Sequence, residues 1–304
     1  MANQTRETVD PIVARLRSMA QAAPELRTAA RVYETVLPLL RDVKYAVPPL
    51  GISKDEARAK LQAGQPLLSD AALPIDDGPP RRLIIELAEQ LENLAPKRGL
   101  WSRGEPEDQP AVTRAVAARQ IRVELESNKL NVGQLLAMAT GGDRSSIRAA
   151  AEERQLNADL LWTLLQFAMR PFFHAWREQL TPLLGDLEWN QARCYVCGGD
   201  AIIGELRGNE QAAHVRCVLC GADWSVLRLR CVHCGNEDHN TLSYLYPEGR
   251  REKWRVQVCD RCKGYLRIQA SFEPTRPEFL LVEDLAMLHL DAIAQAQGYT
   301  RTTA

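Results

Sequence analysis

Apolar residues recur at helical spacing through the N-terminal part of the chain. Residues 26–43 place their hydrophobic side chains three or four positions apart, as on the buried face of an amphipathic helix. Ser53 and Glu56 have the spacing of a capping box, which predicts a helix start. Residues 83–94 repeat leucine at the same period. These stripes are interpreted as core-forming faces of helices.

The next segments continue the helical pattern. Residues 121–130 and 132–140 predict short helices, and Gly141-Gly142 is expected to end the second of them. Asn157 is a candidate N-cap for a long apolar helix, which Pro171 is expected to kink or break. The aromatic residues of this segment are interpreted as packing groups: Trp162, Phe172, Phe173 and Trp176.

The pattern changes after Trp189 to short runs typical of strands. These runs lie at residues 201–206, 224–230, 242–246, 254–258 and 265–268. Residues 254–258 alternate apolar and polar side chains, which predicts a half-buried strand. A last helix is predicted over about residues 283–297, with Gly298 as its stop signal.

The order of these elements predicts an α+β fold. An all-helical N-terminal domain, residues 1–188, precedes two small β modules at 189–226 and 227–272, and a C-terminal helix and tail follow at 273–304. The chain of 304 residues is long enough for more than one domain. Charged residues make up 25% and the net charge is −1, so bulk charge does not favour nucleic acid or anionic lipid.

Cysteine use sets one region apart. Residues 1–193 contain no cysteine, and all eight cysteines lie between Cys194 and Cys262. The N-terminus has no apolar signal-peptide core and no run of about 18 apolar residues occurs, so we expect a cytoplasmic protein. Thiols stay reduced there, which favours metal ligands over disulfides.

The eight cysteines form four C-x-x-C pairs. They are Cys194/Cys197, Cys217/Cys220, Cys231/Cys234 and Cys259/Cys262. Two intervening residues let one tight turn direct both sulfurs at one ion, and two turns complete a tetrahedral shell suited to zinc or a single iron. Glycine follows the second cysteine in three turns and allows a positive φ there, whereas Lys263 stands at this position in the fourth.

The spacing favours pairing of consecutive turns. The segments between the pairs are 198–216, 221–230 and 235–258. The first and last are long enough for a hairpin that returns one turn to another, whereas the middle one suits a short link between modules. One predicted site is therefore Cys194, Cys197, Cys217 and Cys220, and the other Cys231, Cys234, Cys259 and Cys262. An interleaved arrangement, in which the first pair joins the third, remains an alternative.

Other interpretations of the cysteines stay open. The metals could be purely structural zinc, because a small β ribbon buries little apolar area and gains its folding energy from metal. Thioredoxin-like exchange motifs are disfavoured, since such pairs open a helix after a strand. His214, His233 and His239 lie near the cysteines but are not needed as ligands.

The cysteine region resembles a known family, the formate dehydrogenase accessory protein FdhE. The resemblance rests on four segments within residues 194–299: CYVCGGD, HVRCVLCGADWSVLRLRCVHCGN, VQVCDRCKGYLRI and VEDLAMLHLDAIAQAQGY. One departure is Tyr195, where the first turn of the family usually has proline.

This resemblance implies properties that spacing does not show. Proteins of the family carry two rubredoxin-like sites that bind iron, and all four cysteine pairs match the family's motifs. They are not enzymes. They bind the catalytic subunit of respiratory formate dehydrogenase in the cytoplasm while it matures before export. We therefore expect an assembly factor with two mononuclear iron sites, with zinc as the alternative metal.

Two other functions fit the sequence less well. A zinc-ribbon nucleic-acid binder would use a basic patch of Arg228, Arg230, Arg250, Arg251, Lys253 and Arg255, but residues 191–270 hold 12 basic against 9 acidic side chains, a modest excess. An enzyme is disfavoured because no nucleophile elbow, HExxH, phosphate loop or Rossmann fingerprint occurs.

Overall fold

The computed structural model describes residues 9–69, 73–94, 109–185, 189–249 and 252–301, and of residues 109–112 the backbone alone. Within this part of the chain, the N-terminal region is helical. Its helices are α1 (Pro11–Ala22), α2 (Arg27–Asp42), α3 (Lys54–Gln62), α4 (Gly78–Asn93), α5 (Gln109–Glu126), α6 (Val132–Thr140), α7 (Arg144–Glu153) and α8 (Ala158–Leu180).

The predicted helix signals are present at the ends of these elements. Ser53 and Glu56 form the capping box of α3, and the Asn157 side chain accepts a hydrogen bond of 2.8 Å from the backbone N–H of Leu160. Helix α6 ends just before Gly141-Gly142. Helices α1 and α7 are additions to the prediction, and α7 contains few large apolar residues.

Helix α8 is the central helix, and it continues through Pro171 without the break that the sequence suggests. Phe172, Phe173 and Trp176 are almost fully buried, as predicted. Proline removes one backbone hydrogen bond and crowds the preceding turn. Here α8 packs against α4, α6 and α7, and this burial on several sides outweighs the local cost.

The second region is a six-stranded sheet in the order β3-β2-β1-β6-β5-β4. Its strands are β1 (Ile203–Arg207), β2 (Ala212–Arg216), β3 (Asp223–Ser225), β4 (Leu242–Leu245), β5 (Trp254–Cys259) and β6 (Tyr265–Ser271). Neighbours are antiparallel except β1 and β6, which pair in parallel. The two predicted β modules are thus the two halves of one sheet, and strand β2 is an addition to the prediction.

Strand β5 is buried on both faces, so the prediction of a half-buried strand is wrong. Its polar residues Arg255 and Gln257 are 9% and 8% exposed. The Arg255 guanidinium lies over the rings of Tyr244 and Tyr246, and the Gln257 amide donates to the Arg228 carbonyl. These contacts let polar side chains occupy a covered face.

The C-terminal segment forms two helices where one was predicted, α9 (Leu280–Ala286) and α10 (Leu288–Ala296). The chain bends at Met287, so that each helix can face a different neighbour. Glu283 in α9 pairs with Arg15 of α1, and Asp291 in α10 accepts a hydrogen bond from Tyr265 of β6. The helical region and the sheet consequently share one continuous hydrophobic core.

Gly204 permits the parallel pairing on which the joined sheet depends. A Cβ at this position would lie 2.8 Å from Ile268 Cγ1 and 3.0 Å from Leu266 Cδ2. We predict that Gly204→Ala lowers the free energy of unfolding by about 1–3 kcal/mol, because overpacking must push β1 and β6 apart. Denaturant titration of the metal-loaded protein measures this.

Gly133→Ala is the matched control. Gly133 lies inside α6, where a Cβ would have nothing closer than 3.5 Å, so alanine is expected to be neutral or to stabilise the helix by up to about 1 kcal/mol. Equal effects of the two substitutions would contradict the role given to Gly204.

Candidate metal centres

The structure brings the eight cysteines together in two groups of four. Each group holds its ligand atoms within 4.8 Å of one another, and each consists of consecutive C-x-x-C pairs rather than interleaved ones. The first group (site 1) is Cys194, Cys197, Cys217 and Cys220, and the second (site 2) is Cys231, Cys234, Cys259 and Cys262. Among the described residues, no histidine or carboxylate joins either group.

The sulfur spacing fits a single tetrahedral ion. In site 1 the closest sulfurs are 3.4 Å and 3.6 Å apart, and in site 2 both close pairs lie at 3.7 Å. An ion bound at about 2.3 Å to each of four sulfurs separates them by about 3.8 Å. A disulfide bond needs about 2.05 Å. The four-sulfur donor set therefore suits zinc or iron and not a cross-link.

Each cysteine pair lies in the same kind of backbone turn. The carbonyl of the first cysteine accepts a hydrogen bond from the glycine after the second, at 2.8–2.9 Å in three of the turns. Gly198, Gly221 and Gly235 have φ values of +70° to +75°, as predicted. In the fourth turn Lys263 takes a φ of +54°, so this turn keeps the left-handed conformation without glycine.

The turns also direct N–H groups at sulfur. The backbone N–H of Val196 donates to Cys194 Sγ and that of Gly264 to Cys262 Sγ, each at 3.4 Å. In site 2 the buried Asn236 amide donates to Cys259 Sγ at 3.6 Å. Such donors stabilise thiolate charge. Sequence reasoning missed Asn236, because an asparagine two residues after a C-x-x-C turn looks like an ordinary turn residue.

The two sites differ in burial. Cys194, Cys217 and Cys220 are at most 1% exposed, whereas Cys234 of site 2 is exposed. Site 1 lies between the sheet and the helical region, where the N–H groups of Leu67 and Leu68 donate to the carbonyls of Tyr195 and Val196. Site 1 is therefore largely buried, with only Cys197 partly exposed, and site 2 has an open edge at Cys234.

Tyr195 is an anchor of site 1. It is 1% exposed, packs edge-on against the Trp224 ring at 6.1 Å, and places its hydroxyl 3.2 Å from Thr181 Oγ1. A proline, which the family resemblance leads us to expect at this position, would rigidify the turn but lacks this reach. Tyr195 instead provides packing against the helical region.

The thiols of site 1 titrate as a coupled group. Hydrogen bonds from the other thiols hold the pKa of Cys217 well below its usual range. Hydrogen bonding with Cys194 raises the pKa of Cys197, and burial raises that of Cys220. Four buried thiolates repel one another, so full ionisation requires a cation in their midst.

In site 2 the thiol pKa values are also shifted in opposite directions, but more weakly. Burial raises the pKa of Cys231 and of Cys262. Burial also acts against ionisation of Cys259, but the N–H groups of Cys262 and Arg261 and the Asn236 amide lower the pKa of its thiol to about 7. Cys259 is thus the group in site 2 that is best prepared to receive a cation.

The nearby histidines have other partners. His214 Nδ1 lies 2.8 Å from Asp223 Oδ1, and His233 Nε2 lies 3.1 Å from the Tyr265 carbonyl oxygen. His239 is exposed in a turn. None of the three belongs to a cysteine group, in agreement with the sequence analysis.

Three of the four described members of the candidate basic patch contact other side chains, and Arg228 is exposed. Arg255 is buried against two tyrosine rings, Arg230 lies 3.6 Å from Glu237, and Lys253 lies over the Trp254 ring. Arg250 and Arg251 lie outside the described residues. The described basic residues therefore give no support to a nucleic-acid footprint. No helix in the described part of the chain has the length and apolar character to cross a bilayer.

Fold and site together define a helical body joined to a mixed sheet that carries two zinc-ribbon-like four-cysteine centres. Residues 229–304 match the family described as FdhE, C-terminal domain. This part of the chain is thus similar to the C-terminal domain of the FdhE family, and the resemblance predicted from the cysteine motifs is confirmed.

Individual curated proteins similar to this chain also bear the name FdhE. An FdhE homolog from Stutzerimonas stutzeri is 33% identical over 172 residues, 55% of each chain. One from Aquifex aeolicus is 27% identical over 49% of this chain and 52% of its own. FdhE of Escherichia coli is 27% identical over 58% of this chain and 54% of its own. The chain spans about half the length of these curated relatives.

A solved structure shares the fold. The crystal structure of the FdhE protein from Pseudomonas aeruginosa matches with a TM-score of 0.60 over 96% of this chain and 93% of that one. The sequence identity is 22%, so this likeness concerns the fold. It agrees with the predicted order of helical region, cysteine-bearing strands and C-terminal helical segment.

We predict that each site loses its metal independently. Cys217→Ser/Cys220→Ser should remove half of the bound metal and Cys231→Ser/Cys234→Ser the other half, because the sulfurs gather as consecutive pairs. Elemental analysis against protein concentration measures this. Simultaneous loss from both sites in either double variant, with the fold intact by circular dichroism, would contradict the two-site assignment.

A second prediction concerns the turn glycines. Gly221→Ala and Gly235→Ala each place a side chain at positive φ, which costs about 1–2 kcal/mol of folding free energy. At Gly221 the new Cβ would also lie 2.9 Å from Pro277 Cβ, whereas at Gly235 it meets the flexible end of Arg230 at 3.2 Å.

Gly221→Ala should therefore cost about 1–3 kcal/mol more than Gly235→Ala and release metal from site 1 at lower denaturant. Denaturant midpoints with metal release followed by a chromogenic chelator measure both quantities. An equal loss of stability in both variants would contradict this prediction, because it would mean that Pro277 moves aside without an energetic cost.

Proposed function

We propose that the protein is an accessory factor for the assembly of respiratory formate dehydrogenase, which binds the enzyme's catalytic subunit in the cytoplasm before export. The C-terminal domain match and the two four-cysteine groups support this assignment. The helical region would be the scaffold against which site 1 is held, and it would contribute partner-binding surface. The observation on which the proposal depends most is the four-cysteine group of site 2 within the matched residues 229–304, with the second group of site 1 directly before it in the chain.

We propose further that Cys194, Cys197, Cys217 and Cys220, and likewise Cys231, Cys234, Cys259 and Cys262, each hold one iron, with zinc as the alternative. Iron in a four-thiolate shell supplies one-electron exchange with little rearrangement. The turn N–H groups and Asn236 balance thiolate charge, while burial shields Cys194, Cys217 and Cys220 of site 1 from water. The exposed edge at Cys234 makes site 2 the better placed for electron exchange with a partner.

The proposed role is not enzymatic. Four protein sulfurs complete a tetrahedral shell and leave no position for a substrate at either centre, whereas catalytic zinc retains one. The cysteines would therefore act by holding metal and shaping the surface that meets a partner.

The decisive experiment is a pull-down of the tagged full chain from cells that express formate dehydrogenase. The wild type should recover the catalytic subunit, identified by mass spectrometry, and the eluate should contain about two iron atoms per chain. Its visible absorption should bleach on reduction. The double variants Cys217→Ser/Cys220→Ser and Cys231→Ser/Cys234→Ser then show which site the interaction requires.

The outcomes separate the parts of the proposal. If the subunit is recovered but the eluate contains only zinc and shows no visible absorption band, the redox role is ruled out and the assembly role is retained. Iron without the subunit, under conditions in which the subunit is abundant, would end the assembly role. Steep salt-dependent retention on DNA or RNA would instead favour the zinc-ribbon alternative.

A further inference from the structure

A cavity of about 620 Å³ lies beside site 1, between α2, α8 and the segment that opens α9. Its walls include aliphatic side chains such as Leu40, Pro171 and Leu281. His174 separates it from the site 1 turn, since His174 Cε1 lies 3.4 Å from where a Cβ of Gly221 would be. The cavity takes no part in the metal centres described above.

Polar groups without partners gather in this cavity. Tyr45 Oη, His174 Nε2 and Arg177 Nε are buried and have no hydrogen-bond partner among the described residues, and all three residues line the cavity. Burial raises the pKa of Tyr45 to about 12, so its hydroxyl stays protonated. A buried polar atom left unpaired costs about 1–3 kcal/mol, so three in one place indicate a missing partner.

Arg170 is the charged group of the cavity. It is 7% exposed, and among the described residues it has no hydrogen bond or salt bridge, although the thiolates of Cys217 and Cys220 attract it. Its guanidinium therefore keeps its N–H donors available. Burial lowers the pKa of Arg170 to about 10, which still leaves it protonated at neutral pH.

The other charges around the cavity are already paired or stand at its rim. Arg41 pairs with Asp10 and Asp42, and Glu178 accepts from Arg177 Nη2 at 3.0 Å. Glu278 lies 3.7 Å from Arg276, and Lys44 is exposed. Burial and the charges of Arg170 and Arg177 lower the pKa of His174 to about 3, so it is neutral. Among the described residues of the wall, Arg170 is the buried cation without a hydrogen-bonded partner, although the charges of Cys217, Cys220 and Asp284 attract it.

We propose that this cavity binds an organic carboxylate, with the carboxylate on Arg170 and Tyr45 and its apolar part against the aliphatic wall. A guanidinium fork matches a carboxylate in two parallel hydrogen bonds. A carboxylate brings one negative charge, whereas a phosphate dianion would bring two into a low-dielectric space near the thiolates of site 1. The site depends neither on the client nor on the redox role.

Titration calorimetry of the metal-loaded full chain tests this with hexanoate, its neutral analogue hexanamide and inorganic phosphate. Hexanoate should bind one to one, at least tenfold more tightly than either of the others. N-acetyl-alanyl-leucine and its amide form a second arm. Tighter binding of the free acid of this peptide than of hexanoate points to a polypeptide C-terminus as the source, and weaker binding points to a free organic acid.

Single substitutions distinguish a residue that binds the carboxylate from one that only affects the stability of the fold. Arg170→Met should weaken hexanoate binding at least tenfold, because the guanidinium that receives the carboxylate is removed. The thermal midpoint of the ligand-free protein is measured alongside, since the attraction between Arg170 and the thiolates of Cys217 and Cys220 is lost as well. Tyr45→Phe removes a hydroxyl without a partner, so affinity should fall several-fold with stability unchanged. Arg58→Gln, on the exposed face of α3, is the control and should bind hexanoate like the wild type.

The proposal is overturned if hexanoate and hexanamide bind alike, or if no hexanoate binds. It is equally overturned if Arg170→Met and Tyr45→Phe keep wild-type affinity. Should Arg170→Met fail to fold or lose the metal of site 1, Tyr45→Phe and the comparison of hexanoate with hexanamide still decide the question.

Discussion

The gathering of four thiols into a space of a few ångströms is the constraint around which the C-terminal half of the molecule is arranged. Thiolates at this distance repel one another, and backbone N–H groups offset only part of the charge. Each turn must therefore hold two sulfurs rigidly, which explains the left-handed residue after every second cysteine. Metal binding to such a group contributes folding free energy on the order of 10 kcal/mol, as much as a domain's whole net stability.

The sheet couples the two centres. Parallel pairing of β1 with β6 makes the hairpin of site 1 and the hairpin of site 2 halves of one layer, and Gly204 allows the strands to approach. The strands of the two sites therefore pack as one layer, although each set of four sulfurs encloses its own ion position. The C-terminal residues add to this, because the N–H of Thr300 donates to the Lys263 carbonyl in the fourth turn.

Burial gives the two centres different characters. Site 1 is enclosed by Tyr195, Trp224 and the backbone of residues 67–68, and it borders the cavity that contains Arg170. Site 2 keeps Cys234 exposed. A change in the charge of the site 1 centre acts on neighbouring groups inside the protein, whereas the exposed edge of site 2 can contact a partner directly. The attraction between Arg170 and the thiolates also reduces the cost of keeping that arginine buried.

The sequence by itself determined the cysteine turns and the helical character of the first region and favoured consecutive grouping of the turns, because these depend on local spacing, capping residues and glycine. The interleaved arrangement was excluded only by the tertiary structure. The sequence did not determine that α8 continues through Pro171, that β5 is covered on both faces or that β1 and β6 pair in parallel. Those features follow from packing between segments far apart in the chain. Arg170 and Tyr195 show the same limit, since the sequence assigns them no role and only burial against distant partners gives them one.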